Sequence, residues 1–176
     1  MRIVSGKYRG KLIVPPAGFT ARPTTDFAKE NLFNIIAPNF DMEEVEALDL
    51  FSGTGSITYE LVSRGCARVD LVELNAKHFA FIKKMVAELK MTQVHAVKNN
   101  AFTFLSFCTA RYDLIFADPP YEIKGVEKIP DLVFERSLLK PDGWLIVEHS
   151  AGKDFSSHSR FWQHRKYGSV NFSFFK

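Results

Sequence analysis

Between residues 45 and 149 the apolar pattern of this chain alternates between two periods. Five short runs are rich in β-branched or aromatic residues and read as strands: 45–51 (VEALDLF), 69–74 (VDLVEL), 95–98 (HAVK), 112–117 (YDLIFA) and 144–149 (WLIVEH). The segments around them follow helical spacing. Residues 25–36 open at Thr24 or Thr25, either of which can cap a helix; residues 56–64 stop at Gly65, a natural C′ position. Residues 76–90 place Phe79, Ile82, Val86 and Leu89 three or four apart, 102–108 are short, and 125–139 are broken by Pro130. Strands alternating with helices predict βαβ units, a mostly parallel sheet and an α/β fold. Residues 161–175 alternate around Tyr167-Gly168-Ser169 and predict a closing antiparallel hairpin. Residues 1–23, punctuated by Gly6, Gly10, Pro15, Pro16, Gly18 and Pro23, predict a small hairpin or arm ahead of a main domain over 24–176.

Composition narrows the class. A chain of 176 residues that is 46% hydrophobic can build one core without a metal or disulfide. Cys66 and Cys108 are too few for a disulfide framework or zinc knuckle. No apolar run reaches the ~18 residues of a membrane span, and the first residues lack the apolar stretch of a signal peptide. The expectation is a cytoplasmic protein with no membrane partner. The net charge of +3 divides unevenly, into +4 over residues 1–40, −5 over 41–150 and +4 over 151–176. An acidic body with basic ends suits a catalytic centre flanked by a grip for a polyanion.

Residues 49–56 (DLFSGTGS) follow the first strand of the sheet and open a helix. Ligands of open α/β sheets bind at the carboxyl ends of strands, where Gly53 and Gly55 allow close backbone approach. Glu73 ends the next strand, 24 residues after Asp49, and a carboxylate there can accept both hydroxyls of a ribose. Position 58, where the dinucleotide fingerprint wants its third glycine, is Thr58, and no phosphate-cradling P-loop is present. Asp49, ahead of the glycines, would repel a pyrophosphate but suits a cation. S-adenosylmethionine, with an ammonium, a sulfonium and no phosphate, meets these conditions.

Asp118-Pro119-Pro120-Tyr121 follows the fourth strand. Two prolines fix φ twice and remove two N–H donors, so the turn is rigid and its carbonyls are expected to face the cleft. Asp118 and such a carbonyl can accept from an exocyclic –NH2, and Tyr121 offers a ring for a planar base. Acceptors on both hydrogens release the nitrogen lone pair from ring conjugation and align it with an S–CH3 bond.

The glycine loop together with Asp-Pro-Pro-Tyr resembles the amino-methyltransferases of class I. Residues 1–12 (MRIVSGKYRGKL) and 22–33 (RPTTDFAKENLF) look like the opening of the RsmD-type methyltransferases, which act on a guanine N2 of bacterial small-subunit (16S) rRNA. The likeness runs from Met1 to about Ser150. It implies a Rossmann-like fold with a mostly parallel seven-stranded sheet. Direct in-line transfer from S-adenosylmethionine is implied, with no metal and no covalent enzyme intermediate. Thr24 and Thr25 would lie near the methionine end of the cofactor, and Asp49, Ser52, Gly53 and Gly55 would form its main loop. Glu73 would hold the ribose, and Asn100 and Ala101 would border the adenine. Asp118, Pro119, Pro120 and Tyr121 would hold the target base. A monomer acting on rRNA or on the assembling small subunit is implied.

Residues 1–22 carry Arg2, Lys7, Arg9, Lys11 and Arg22, no acid, and Tyr8 among them. Cations interleaved with an aromatic suit phosphate contact plus base stacking. Adenine-N6 methylation of DNA or RNA is the nearest rival, since it would use the same tetrapeptide. Glutamine methylation of a protein ranks lower, because those enzymes carry Asn at the position of Asp118. A non-catalytic RNA binder would not need Asp118 and Tyr121. The cations of residues 151–176 have no role assigned.

Overall fold

The structure is a computed structural model that describes residues 1–19 and 24–176. Seven strands and five helices follow one another as α1 (Asp26–Ile36), β1 (Glu46–Leu50), α2 (Ser56–Ser63), β2 (Arg68–Glu73), α3 (Ala76–Glu88), β3 (Val94–Lys98), α4 (Ala101–Phe107), β4 (Tyr112–Ala117), α5 (Ile129–Glu135), β5 (Leu139–His149), β6 (Phe161–Tyr167) and β7 (Val170–Phe175). They form one sheet in the order β3-β2-β1-β4-β5-β7-β6. The first five are parallel, and β7 runs antiparallel to both β5 and β6. The expected mostly parallel sheet with its closing hairpin is therefore present. β1 pairs with β2 on one side and β4 on the other, which makes the β1/β4 edge the switch point where a cleft opens.

Helices pack on both faces. On one face Leu32, Phe33 and Ile36 of α1, Ile57 and Leu61 of α2 and Ile82 of α3 meet Ala47, Leu71, Phe116, Ile146, Phe172 and Phe174 of the sheet. On the other, Leu105 of α4 and Ile129 and Val133 of α5 meet Leu48, Val72, Ile115 and Leu145. Side chains on the caps set three helix starts. Thr25 accepts from the Ala28 amide, and Asn75 and Asn100 each accept from two amides of α3 and α4. Of the two threonines available, Thr25 is thus the cap.

Most boundaries fall within two residues of expectation, and the larger departures lie around Pro130 and at the start of β5. Pro130 does not break a helix; it sits in the first turn of α5, where a missing N–H costs nothing, after a 3-10 turn over Val126–Lys128. β5 begins at Leu139 and not at 144, because Leu139 pairs with Tyr112 ahead of a register shift.

The arm is clamped to the body. Arg2 and Leu12 form an antiparallel bridge, and Ile3 and Ile13 enter the core beside α1 and α2. The Val4 and Ser5 amides donate to the Glu60 carboxylate at 2.8 and 3.0 Å, and the Lys7 amide donates to Ser63 O at 2.7 Å. Glu60 is fully buried, with Arg64 Nε at 2.8 Å and the buried Lys29 ammonium at 3.9 Å. Lys29 Nζ in turn donates to Arg2 O at 2.6 Å and Ser56 Oγ at 3.2 Å. Burial pulls the Lys29 pKa down, against the pull of Glu60 and Asp26. Among the described residues no helix is long and apolar enough to cross a membrane.

Candidate active site

Four carboxyl groups gather at the carboxyl edge of the sheet. Asp49 lies near the end of β1, Glu73 ends β2, Asp118 follows β4, and Glu148 lies near the end of β5. Ala117 pairs with Val147, which sets Asp118 level with Glu148. Asp49 is buried, and its Oδ2 accepts from the Thr58 amide at 3.2 Å and the Thr58 hydroxyl at 2.6 Å. Burial raises its pKa to about 7 even though Thr58 and Ser52 favour the charged form. Ser52 Oγ donates to Asp49 O at 2.8 Å, which closes the loop onto its own strand.

The glycine loop turns through positive φ at Phe51 (60°), Gly53 (56°) and Gly55 (82°). A Cβ at Gly55 would come within 2.6 Å of the Tyr59 ring, so this position needs glycine for space as well as conformation. The Gly53 amide donates to Glu73 Oε2 and the Asn75 amide to Oε1, both at 2.7 Å. Each Glu73 oxygen keeps a further lone pair for a ribose hydroxyl. Tyr59 Oη is buried without a hydrogen-bond partner, next to the loop. Acids for a cation, a carboxylate for a diol and a glycine-bearing turn fit S-adenosylmethionine.

Asp118 and its turn form the other wall. The Asp118 amide donates to Leu50 O at 3.3 Å, tying the turn to β1. Burial and the neighbouring Glu148 and Asp49 charges hold the Asp118 carboxyl well above the usual carboxylate range. Glu148 is raised to about 7 by burial, opposed by the Thr24 hydroxyl, which donates to Oε2 at 2.9 Å. Pro119 is buried, whereas Pro120 and Tyr121 are exposed. One expectation changes here: the Pro120 carbonyl accepts from the Ile123 amide at 3.0 Å and so closes the turn on itself.

The other cofactor candidates divide by role. Thr24 reaches Glu148, and Thr25 is absorbed by its cap. Asn100 caps α4, and Ala101 is buried in its first turn. The Asn99 amide donates to Glu73 O at 3.3 Å, so the turn bearing Asn100 and Ala101 borders the Glu73 end of the site. Sequence reasoning missed Thr58 and Glu148. Glu148 was legible in principle, as the acid near the carboxyl end of the fifth parallel strand.

The arm candidates are divided between the two ends of α2, with Arg2 near the glycine loop, where Lys29 Nζ bridges Arg2 O and Ser56 Oγ. Arg2 Nε lies 3.8 Å from Asp26 at the start of α1. Lys7 and Tyr8 bind through their amides at Ser63, the last residue of α2, and Tyr8 Oη donates to Leu89 O just past α3. Eight helical residues span about 12 Å, so Lys7, Tyr8 and Arg9 lie at the end of α2 opposite the glycine loop. Lys11 lies on the returning strand of the arm, and Arg22 lies outside the described residues. His149 is held between Ser150 O and Ser173 Oγ at 2.9 and 2.8 Å, a packing role.

A β3-β2-β1-β4-β5-β7-β6 sheet with a glycine loop after β1 defines a class I methyltransferase. The family model described as Conserved hypothetical protein 95 matches residues 1–176, and the chain belongs to that family, the RsmD-type methyltransferases. It is 32% identical over 148 residues to the Escherichia coli protein named Ribosomal RNA small subunit methyltransferase D, covering 84% of this chain and 71% of that one. The Haemophilus influenzae protein of the same name is 31% identical over 157 residues, covering 87% and 80%. Among solved structures, Escherichia coli yhhF superposes with a TM-score of 0.86 at 27% identity, covering 99% of this chain and 96% of that one.

Proposed function

We propose that this protein transfers a methyl group from S-adenosylmethionine to the exocyclic N2 amine of a guanine in small-subunit (16S) rRNA. The observation that carries the reading is Asp118, at the switch point beside Asp49 and level with Glu148. When bound, the cofactor supplies an electrophilic methyl group. Asp49 and the carboxylate of Glu73 would hold its cation and its ribose, and the turn at Asn100 and Ala101 would border its base. Asp118 and the Pro119 carbonyl accept from the two amine hydrogens, with Tyr121 against the base. These acceptors would free the nitrogen lone pair from ring conjugation and orient it toward the methyl group that the cofactor would supply. The chain's contribution is orientation and electrostatics. The family supports rRNA as the substrate class, either free or in an assembling subunit, and a cytoplasmic monomer accords with that. Arg2, Lys7, Tyr8, Arg9, Lys11 and Arg22 provide RNA contacts, with Lys7, Tyr8 and Arg9 at the end of α2 opposite the glycine loop.

The test is labelled cofactor with rRNA or small subunits from cells lacking the protein, followed by mass identification of the nucleoside. N2-methylguanosine is expected. Label on adenine N6 or on protein would overturn the reading. Asp118→Ala should lower the transfer rate about 100-fold or more while cofactor affinity stays within about threefold.

A further inference from the structure

The cations of residues 151–176 are not equivalent. Lys153 pairs with Glu127 at 3.4 Å, Arg160 lies 5.3 Å from the Phe134 ring centroid, and Lys176 lies 3.9 Å from that of Trp162. Arg165 and Lys166 are exposed and have no ion-pair partner among the described residues. Both sit at the end of β6, the outermost strand.

Topology decides which edge that end belongs to. β6 and β5 are each antiparallel to β7, so β6 runs in the direction of the parallel strands and finishes at their carboxyl edge. The register is direct. Glu148 pairs with Phe172, which pairs with Arg165; His149 pairs with Asn171, which pairs with Lys166. Arg165 therefore shares both level and sheet face with Glu148, two strands away. From β4 to β6 is three strand spacings, about 14 Å, the length of about four stacked nucleotides at 3.4 Å each.

An aromatic platform lies on the sheet face of Arg165, and Lys166 projects from the other face of the same strand end. Phe27, in the first turn of α1, is 62% exposed, and its ring meets Tyr167 edge-on at 6.3 Å. Phe27 follows the two threonines that reach Glu148 and cap α1. Cations that track a backbone next to rings on which bases stack are the chemistry of single-stranded nucleic-acid binding.

We propose that the β6–β7 hairpin, through Arg165 and Lys166 with Phe27 and Tyr167, grips the single-stranded RNA flanking the target base. This rests on the rRNA reading above and assigns its substrate a docking surface on the catalytic edge, opposite the end reached by Lys7 and Arg9. Phosphates are held by the two cations and a flanking base stacks on Phe27.

The probe is a fluorescent single-stranded oligoribonucleotide titrated against the full chain at several salt concentrations. The comparison is among wild type, Arg165→Glu/Lys166→Glu and Lys7→Glu/Arg9→Glu. Loss of two phosphate contacts should make the slope of log K against log salt shallower by about 1.4 in the hairpin variant. Cofactor affinity and the unfolding midpoint should stay at wild-type values. Phe27→Ala should weaken binding about tenfold, in line with ~1–3 kcal/mol per stacked base. An unchanged slope in the hairpin variant, with the slope lost in the arm variant or in neither, would overturn the proposal; so would a hairpin that matters only for an acidic protein. Failure of the wild type to methylate any RNA would instead sink the function reading, so the two failures are distinguishable.

Discussion

Asp49 illustrates how one residue is tuned by neighbours far along the chain. Burial drives its carboxyl toward neutrality, and Thr58 opposes this with a hydroxyl at 2.6 Å and an amide at 3.2 Å. Thr58 stands where a dinucleotide-binding fold would have glycine. Its hydroxyl instead keeps Asp49 closer to the charged form that a sulfonium or ammonium needs. A hydrogen bond to a charged group contributes about 1.5–3 kcal/mol, or about one to two pH units at 1.36 kcal/mol each. Thr58→Val, which removes the hydroxyl and keeps shape and amide, should therefore move the pH midpoint of cofactor affinity upward from about 7 by about one pH unit. Calorimetric titration of the cofactor between pH 6 and 9 checks this; an unmoved midpoint would dissociate Thr58 from cofactor binding.

At the scale of elements, the arm behaves as part of the body. Gly6 has φ +80°, and a Cβ there would lie 1.8 Å from the carbonyl oxygen of Ser63 at the end of α2. Gly6→Ala must strain the backbone and lift the arm, which would expose Ile3 and Ile13 and break the amide contacts to Glu60. Left-handed strain alone costs about 1–2 kcal/mol, so chemical denaturation should show a loss of at least that size. The same change at Gly10, where nothing lies within 4 Å of a Cβ, should cost only the strain. Equal losses at the two glycines would show that the arm's docking adds nothing to stability. Basic composition made the arm look like a free grip; only tertiary contacts show that residues 3–8 are fastened along α2.

For the molecule as a whole, the acidic edge links pH, ligand and stability. Asp49 and Glu148 titrate near 7 in the fold, against ordinary values of 3.8 and 4.5. The folded state holds protons that the unfolded state releases. Without ligand, these groups contribute fully below about pH 4 and that contribution is lost as pH rises through about 7. A bound cation favours their ionised forms and reverses the penalty. Cofactor should therefore raise the unfolding midpoint more at pH 8 than at pH 6, read by thermal scans with and without ligand. An equal shift at both values would mean that the acids do not face the cofactor's charge.

The parallel body, the closing hairpin, the glycine loop and the Asp-Pro-Pro-Tyr turn were all legible in the chain, because period, punctuation and rigid dipeptides are local properties. Asp49, Glu73 and Asp118 followed from them by the rule that ligands bind at strand carboxyl ends. Partnerships across long sequence separations were not legible. Thr24 with Glu148, Lys29 with Glu60, and the arm with α2 join residues 124, 31 and more than 50 positions apart. Strand order placed Arg165 level with Glu148, and no local signal marks one surface arginine from another. Local chemistry thus determined which cofactor the site suits. Chain crossing and register decided which charges are buried, which lie at the catalytic edge, and which are left facing solvent.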